Sequence, residues 1–249
     1  MLGDADTSVV LTNGSVAIPT TVAPWGGDFT IEAWVRPLAA PVGGDMFSIS
    51  LREQYATRGF RAGWNGSYRP TFWTSESGGA SSVVATTAMT AGAWNHVVFT
   101  KAGATVTIYV NGAPVGAGPV TYVAPQPADN ARQWGAGQGK GTNAGFDELA
   151  IYATALSPTD VQGHYRLATT SYAQAVLADG PLAYWRLNEP SGPTAADSSP
   201  ARADAIYEGG IAYGRGGALD GDAATTRARR PPALSGPVGG DRRRSRVLQ

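Results

Sequence analysis

Residues 94–116, WNHVVFTKAGATVTIYVNGAPVG, constrain the fold more than any other stretch. Val106, Ile108 and Val110 recur every second residue, which puts them on one face of a strand. Asn111-Gly112 follows at once, and both residues tolerate the positive φ that a two-residue type I′ hairpin needs. A short Gly-containing loop around Ala102-Gly103 joins this strand to the one before it. DFTIEAWVRP repeats the pattern, with Phe29, Ile31, Ala33 and Val35 on one face and Thr30, Glu32, Trp34 and Arg36 on the other. Pro37 ends that strand. Asn13-Gly14 and Asn65-Gly66 are further hairpin signals, and FDELAIY reads as another strand. With 33 Gly and 17 Pro in 249 residues, long helices are excluded. Many short strands and frequent turns predict an all-β chain, an antiparallel sandwich or jelly roll.

Helices are expected only late. In ALSPTDVQGHYRLA, Ser157 is an N-cap, Pro158 occupies the first helical position and Asp160 completes a capping box. Val161, Tyr165 and Ala168 then share a face. SYAQAVLADG is a second short helical stretch ending at Gly180. In the core we expect Phe29, Ile31, Val106, Ile108, Leu149 and Ile151, with Trp34, Trp94 and Tyr152 largely buried.

Charge and cysteine content narrow the function. Formal net charge is zero, so no global field draws a polyanion such as nucleic acid. There is no cysteine, which excludes disulfides and thiolate zinc sites. No apolar run approaches membrane-spanning length. Met1 leads straight into Gly3-Asp4-Ala5-Asp6, which has no signal-peptide pattern. From Arg227 onward, RARRPPALSGPVGGDRRRSRVLQ holds seven Arg and one acidic residue. It reads as a basic disordered tail, as a nucleic-acid or membrane arm, or as out-of-frame text from a GC-rich gene.

FTIEAWVRP, WNHVVFTKAGATVTIYVNGAPVG and FDELAIYATALSPTDVQGHY, in that order and spacing, resemble LamG-like jelly-roll domains of the concanavalin A-like lectin/glucanase superfamily. The resemblance covers roughly residues 1–168, a domain lacking its first strands. It restarts in PLAYWRLNEPSGPTAADSSPARADAIYEGG, so residues 169–226 read as a linker helix and the first strands of a following repeat. Residues 227–249 are the tail. Leu2-Gly3-Asp4-Ala5-Asp6-Thr7 and Leu219-Asp220-Gly221-Asp222-Ala223-Ala224-Thr225 would be the same point in successive copies. In the family, the AYWRLNE strand lies beside the DELAIY strand. Ala183–Asn188 is therefore expected to fold back beside Asp147–Tyr152, making a circularly permuted sandwich.

Catalysis is not expected. Glycan-cutting enzymes of this superfamily alternate carboxylates along a strand, and no Glu-x-Asp-x-Glu pattern occurs here. Glu32 stands alone on its strand. Asp147 and Glu148 are adjacent, and in a regular strand they would face opposite ways. His96 is expected to face a neighbouring strand and His164 to lie on a helix surface. The resemblance implies a structural calcium held by Asp147 or Glu148 with Glu189 and Asp197, since calcium takes oxygen ligands. Plain hydrogen bonding of those carboxylates is the other reading. For ligand binding, Trp64, Tyr68 and Trp73 form the densest aromatic stretch, and Trp134 sits in a Gly-rich run expected to be an exposed loop. Aromatic faces stack on sugars, and they also fill cores.

The function expected is a non-catalytic recognition or adhesion module. It would be part of a larger secreted or surface protein, binding glycan or an extracellular protein through rim loops. A ligand-free spacer in a fibre-like or phage-tail-like assembly and an accessory domain of a glycoside hydrolase are the alternatives.

Overall fold

The Asn111-Gly112 turn adopts the conformation its residues prescribe. Both have positive φ, 52° and 76°, and Val110 pairs with Ala113 across them. The other Asn-Gly pairs differ. Only Asn13 of the first is left-handed. At Asn65 the side-chain Oδ1 accepts the N–H groups of Ser67 and Arg69, which builds a longer loop, and the positive φ moves to Tyr68.

A computed structural model describes residues 6–38, 44–49, 59–74, 81–125, 132–137, 140–168 and 172–219. The basic tail lies outside them. In chain order the first strands are β1 (Thr7–Thr12), β2 (Ser15–Ala17), β3 (Phe29–Pro37), β4 (Gly44–Ile49), β5 (Phe60–Trp64), β6 (Pro70–Thr74) and β7 (Ser82–Val84). Next come β8 (Asn95–Ala102), β9 (Thr105–Val110), β10 (Ala113–Pro119), β11 (Arg132–Trp134), β12 (Ala136–Gly137), β13 (Lys140–Gly141) and β14 (Asn143–Tyr152). Helices α1 (Pro158–Leu167) and α2 (Tyr172–Ala178) precede β15 (Ala183–Trp185), β16 (Thr194–Ala195), β17 (Ala205–Glu208) and β18 (Ile211–Gly216).

Sixteen of these strands form two antiparallel eight-stranded sheets, and β12 pairs with β13 in a two-stranded ribbon. Sheet A runs β10-β9-β8-β3-β14-β1-β18, with β15 also paired to β14, and sheet B runs β16-β17-β2-β11-β4-β5-β6-β7. Between them lies the main core, including Phe29, Ile31, Val35, Phe60, Phe72, Phe99, Ile108 and Leu149. The second face of sheet A is also buried. Trp34, Val98, Tyr109 and Tyr152 pack there against Val161 of α1 and Tyr172 and Val176 of α2. This explains why β3 is buried at nearly every position despite its alternation. Trp94 is only half-buried, with the Arg36 guanidinium 5.1 Å from its ring centroid.

Helix α1 starts as its sequence directs. Asp160 N–H donates to Ser157 Oγ at 3.2 Å, and Ser157 N–H donates to Asp160 Oδ2 at 3.0 Å. Its covered face differs from the expected one. Val161, His164 and Ala168 are buried, while Tyr165 keeps 37% exposure.

Strand β14 changes partners midway. Its first half pairs with β1 (Val9↔Phe146) and its second with β15 (Leu149↔Trp185, Ile151↔Ala183). Residues after 172 also extend sheet B through β17 on β2, and sheet A through β18 on β1. Trp185 is fully buried in the main core, its Nε1–H donating to the Ala203 carbonyl at 3.0 Å.

Candidate functional site

The outer face of sheet B carries an aligned row. Backbone pairing sets Thr194 beside Ile206, then Ala17, Gln133, Ser48, Arg61, Trp73 and Ser82. The backbone line crosses every strand of the sheet, and since paired residues share a face it puts Arg61, Trp73 and Ser82 side by side. Their neighbours Phe72, Ala62, Trp134, Val16 and Tyr207 point into the core. Trp73 and Arg61 are half-buried, whereas Ser82, Thr194 and Ile206 are exposed. The Arg61 guanidinium lies 4.8 Å from the Trp73 ring centroid, which fixes the ring and leaves a cation beside it.

The aromatic residues singled out from the sequence do not act together. Trp64 is 4% exposed and belongs to the core. Trp134, expected in an exposed loop, is fully buried, because it lies on strand β11 paired with Val16 and shares that residue's core-facing side. Tyr68 packs partly against the core from the β5–β6 turn. Of the four, Trp73 is the one on the open row.

A second cluster forms where β14 switches partners. The register shifts between Asp147 and Ala150, and Glu148 takes a φ of 53°. This bulge breaks the side-to-side alternation, so Asp147 and Glu148 converge rather than diverge. Oxygens of Asp6, Asp147 and Glu148 lie within 4.8 Å of one another, and all three residues are buried. Arg186 contacts Asp6 Oδ1 and Glu148 Oε1, each at 3.3 Å. Tyr184 donates to Glu148 Oε2. Ala218 N–H donates to Asp147 Oδ2 at 2.8 Å, and Leu219 N–H to Asp6 Oδ2 at 3.1 Å. Asp147 Oδ1 is buried and has no partner among the described residues. Burial raises the Glu148 carboxyl to about 8 against the pull of Arg186 and Tyr184. It raises Asp147 too, helped by the charges of Glu148 and Asp6.

The other two expected metal ligands lie outside this cluster. Glu189 accepts from Ala196 N–H at 2.8 Å and from the Tyr207 hydroxyl at 2.7 Å. Asp197 accepts from the N–H groups of Tyr184, Ser199 and Ala203 and from the Ser199 hydroxyl, all at 2.7–2.8 Å. Both carboxylates are taken up in tying loops together. Asp6, near the start of the chain, was missed because no local pattern marks its approach to residue 147.

Sequence reading also missed a sealed network on Glu32. Its carboxylate accepts from His96 Nε2 at 2.6 Å, His164 Nδ1 at 3.1 Å, the Tyr172 hydroxyl at 2.8 Å and the Tyr152 hydroxyl at 3.0 Å. His164, expected on a helix surface, is 2% exposed because α1 lies on sheet A. Its Nε2 is 3.1 Å from Asp179 Oδ2, close enough for attraction though not aligned for a hydrogen bond. Burial opposes ionisation of Glu32, but hydrogen bonds from His164 and His96 outweigh it and hold the carboxyl well below its usual range. Burial likewise opposes charge on His164, yet Glu32 and Asp179 raise its pKa. Glu32 and His96 are fully buried, so this acid–imidazole set cannot meet a substrate. It joins β3, β8, β14, α1 and α2.

Two packed antiparallel sheets, one backed by helices and the other with an open face, define a jelly-roll sandwich of the lectin type. The model of the concanavalin A-like lectin/glucanases superfamily matches residues 11–162, and the chain belongs to that superfamily. No curated protein matches it. Among solved structures it is similar to a Bacteroides ovatus protein proposed to bind carbohydrate (TM-score 0.61, 14% identity, 84% of this chain and 60% of that one). It also resembles domain 4 of the extracellular arabinanase AbnA from Geobacillus stearothermophilus, in complex with arabinotriose (TM-score 0.50, 19% identity, 63% of this chain and 75% of that one). A third is the Ruminococcus gnavus IT-sialidase CBM40 bound to α2,3-sialyllactose (TM-score 0.50, 12% identity, 60% of this chain and 91% of that one). The chain thus spans about 60% of the length of the first. At 12–19% identity these likenesses are likenesses of fold. Among the described residues no helix is long and apolar enough to cross a membrane.

Proposed function

We propose that the chain is a carbohydrate-recognition module of a larger extracellular protein, taking a glycan along the open face of sheet B. The observation that carries this is Trp73, held half-exposed by Arg61 in a row that crosses the whole sheet. A flat aromatic ring offers an apolar platform to the C–H face of a sugar, and Arg61 and Ser82 beside it offer hydrogen-bond donors. The neighbours named above, which include an arabinotriose complex and a sialyllactose complex, support a sugar as the partner. Strands after 172 belong to both sheets, so the module includes them.

A glycan array followed by titration of its hits tests this reading. Trp73→Ala should weaken binding roughly tenfold or more, about 1.4 kcal/mol, with little change in melting temperature because the ring points outward. An array without a single hit, or a Trp73→Ala protein with unchanged affinity, would reject the face.

We also propose a structural calcium at Asp6, Asp147 and Glu148. The donor set is all oxygen, it sets three carboxyl groups against the single Arg186 guanidinium, and among the described residues Asp147 Oδ1 lacks a partner. Calcium there would displace the protons that burial favours on Asp147 and Glu148, and would clamp β14 to the start of β1 and the segment after β18. Saturation at about 100 times Kd should stabilise the fold by about 2.7 kcal/mol, read as a rise in melting temperature over an EDTA-treated sample. Asp147→Asn should lose that rise. Absence of both heat and thermal shift in the unmodified protein would end the idea.

A further inference from the structure

A pocket of about 350 Å³ lies away from the Trp73 row, lined by Thr21, Val22, Leu182, Ala201, Arg202 and Ala203. Its volume falls in the range of small-ligand sites. The floor is apolar, with Val22 buried in the core and Leu182 and Ala203 packed against it. The Arg202 guanidinium is exposed at the rim, and among the described residues it has no ion-pair partner.

The turn that carries Arg202 is built to hold it still. Buried Asp197 accepts Ser199 N–H, Ala203 N–H and the Ser199 hydroxyl, and also Tyr184 N–H from β15. Ala201 N–H donates to Ser199 Oγ at 3.2 Å. Two residues on from Arg202, Asp204 Oδ1 accepts Asp197 N–H at 2.9 Å. Arg202 itself sits at φ 53°, a left-handed conformation that glycine would adopt more easily. A fixed turn thus presents an unpaired guanidinium, suited to bidentate carboxylate recognition, beside a small apolar hollow and the Thr21 hydroxyl.

We infer that this pocket binds a carboxylate-bearing monosaccharide unit, the carboxylate on Arg202 and an apolar face of the ring against Val22, Leu182 and Ala203. The pocket shares no lining residue with the Trp73 row.

The test titrates methyl β-D-glucuronide against methyl β-D-glucoside, which differ at the carboxylate, followed by NMR or calorimetry at low salt. The glucuronide should bind saturably and at least tenfold more tightly than the glucoside, with affinity falling as salt rises. Arg202→Gly removes the cation at a position whose φ suits glycine, so the melting temperature should hold or rise while the preference disappears. Trp73→Ala should leave glucuronide binding intact, which separates this site from the sheet B face. Equal affinity for the two glycosides, no saturable glucuronide binding, or an Arg202→Gly protein that keeps the preference would each overturn the inference.

Discussion

Replacing Glu32 with alanine is expected to lower the unfolding free energy by roughly 3–5 kcal/mol, the cost of removing one partner from a buried ion pair. The loss is large because the carboxylate serves His96, His164, Tyr152 and Tyr172 together. Each would be left buried with an unmet donor, and unmet buried donors cost about 1–3 kcal/mol apiece. Glu32→Gln keeps the shape and one acceptor, so it should cost less than alanine. Urea midpoints at constant slope read the difference. An alanine variant within 1 kcal/mol of the parent would show that the network does not hold the helices on sheet A.

The same network should shape the pH dependence. The folded pKa of Glu32 is below its ordinary 4.5, so its contribution is present above about pH 4.5 and is lost as pH falls through the folded value. His164 shifts the opposite way from 6.5. Its contribution is complete below about pH 6.5 and is lost as pH rises through the folded value. Glu32→Gln should flatten both limbs of this profile. Persistence of both limbs in that variant would assign them to other groups.

A chain ending at Ala168 is expected to show no cooperative thermal transition. It would lose α2 and the strands β15 to β18, which uncovers Tyr152 and exposes unpaired edges on β14, β1 and β2. A gentler version is Trp185→Ala. Deleting a fully buried tryptophan costs about 3–5 kcal/mol, and here the Ala203 carbonyl also loses its donor. Near-UV circular dichroism and a thermal melt decide the matter. If the shortened chain melted at the temperature of the full one, residues 172–219 would be an appendage rather than part of the sandwich.

What local rules govern was legible in the chain itself. The Asn111-Gly112 hairpin and the Ser157–Asp160 capping box depend on residues within a few positions of each other, and φ preference and side-chain reach decide them. Period-two alternation likewise placed Ile31, Ile108 and Ile151 on a common core face. Alternation separates two faces without saying what covers the second. Helices α1 and α2 cover it in sheet A, which took His164 from an expected helix surface into a sealed network with Glu32. On sheet B the outer row stayed open, so Trp73 remained accessible while Trp64 and Trp134 became core. The acidic cluster lay further from view. Asp147 and Glu148 meet because a bulge with positive φ at Glu148 interrupts the strand, and it falls where β14 exchanges β1 for β15. Asp6 and Arg186 meet at that point although they are 180 residues apart in sequence. Contacts of that separation depend on which strands become neighbours, and only the tertiary structure decides that.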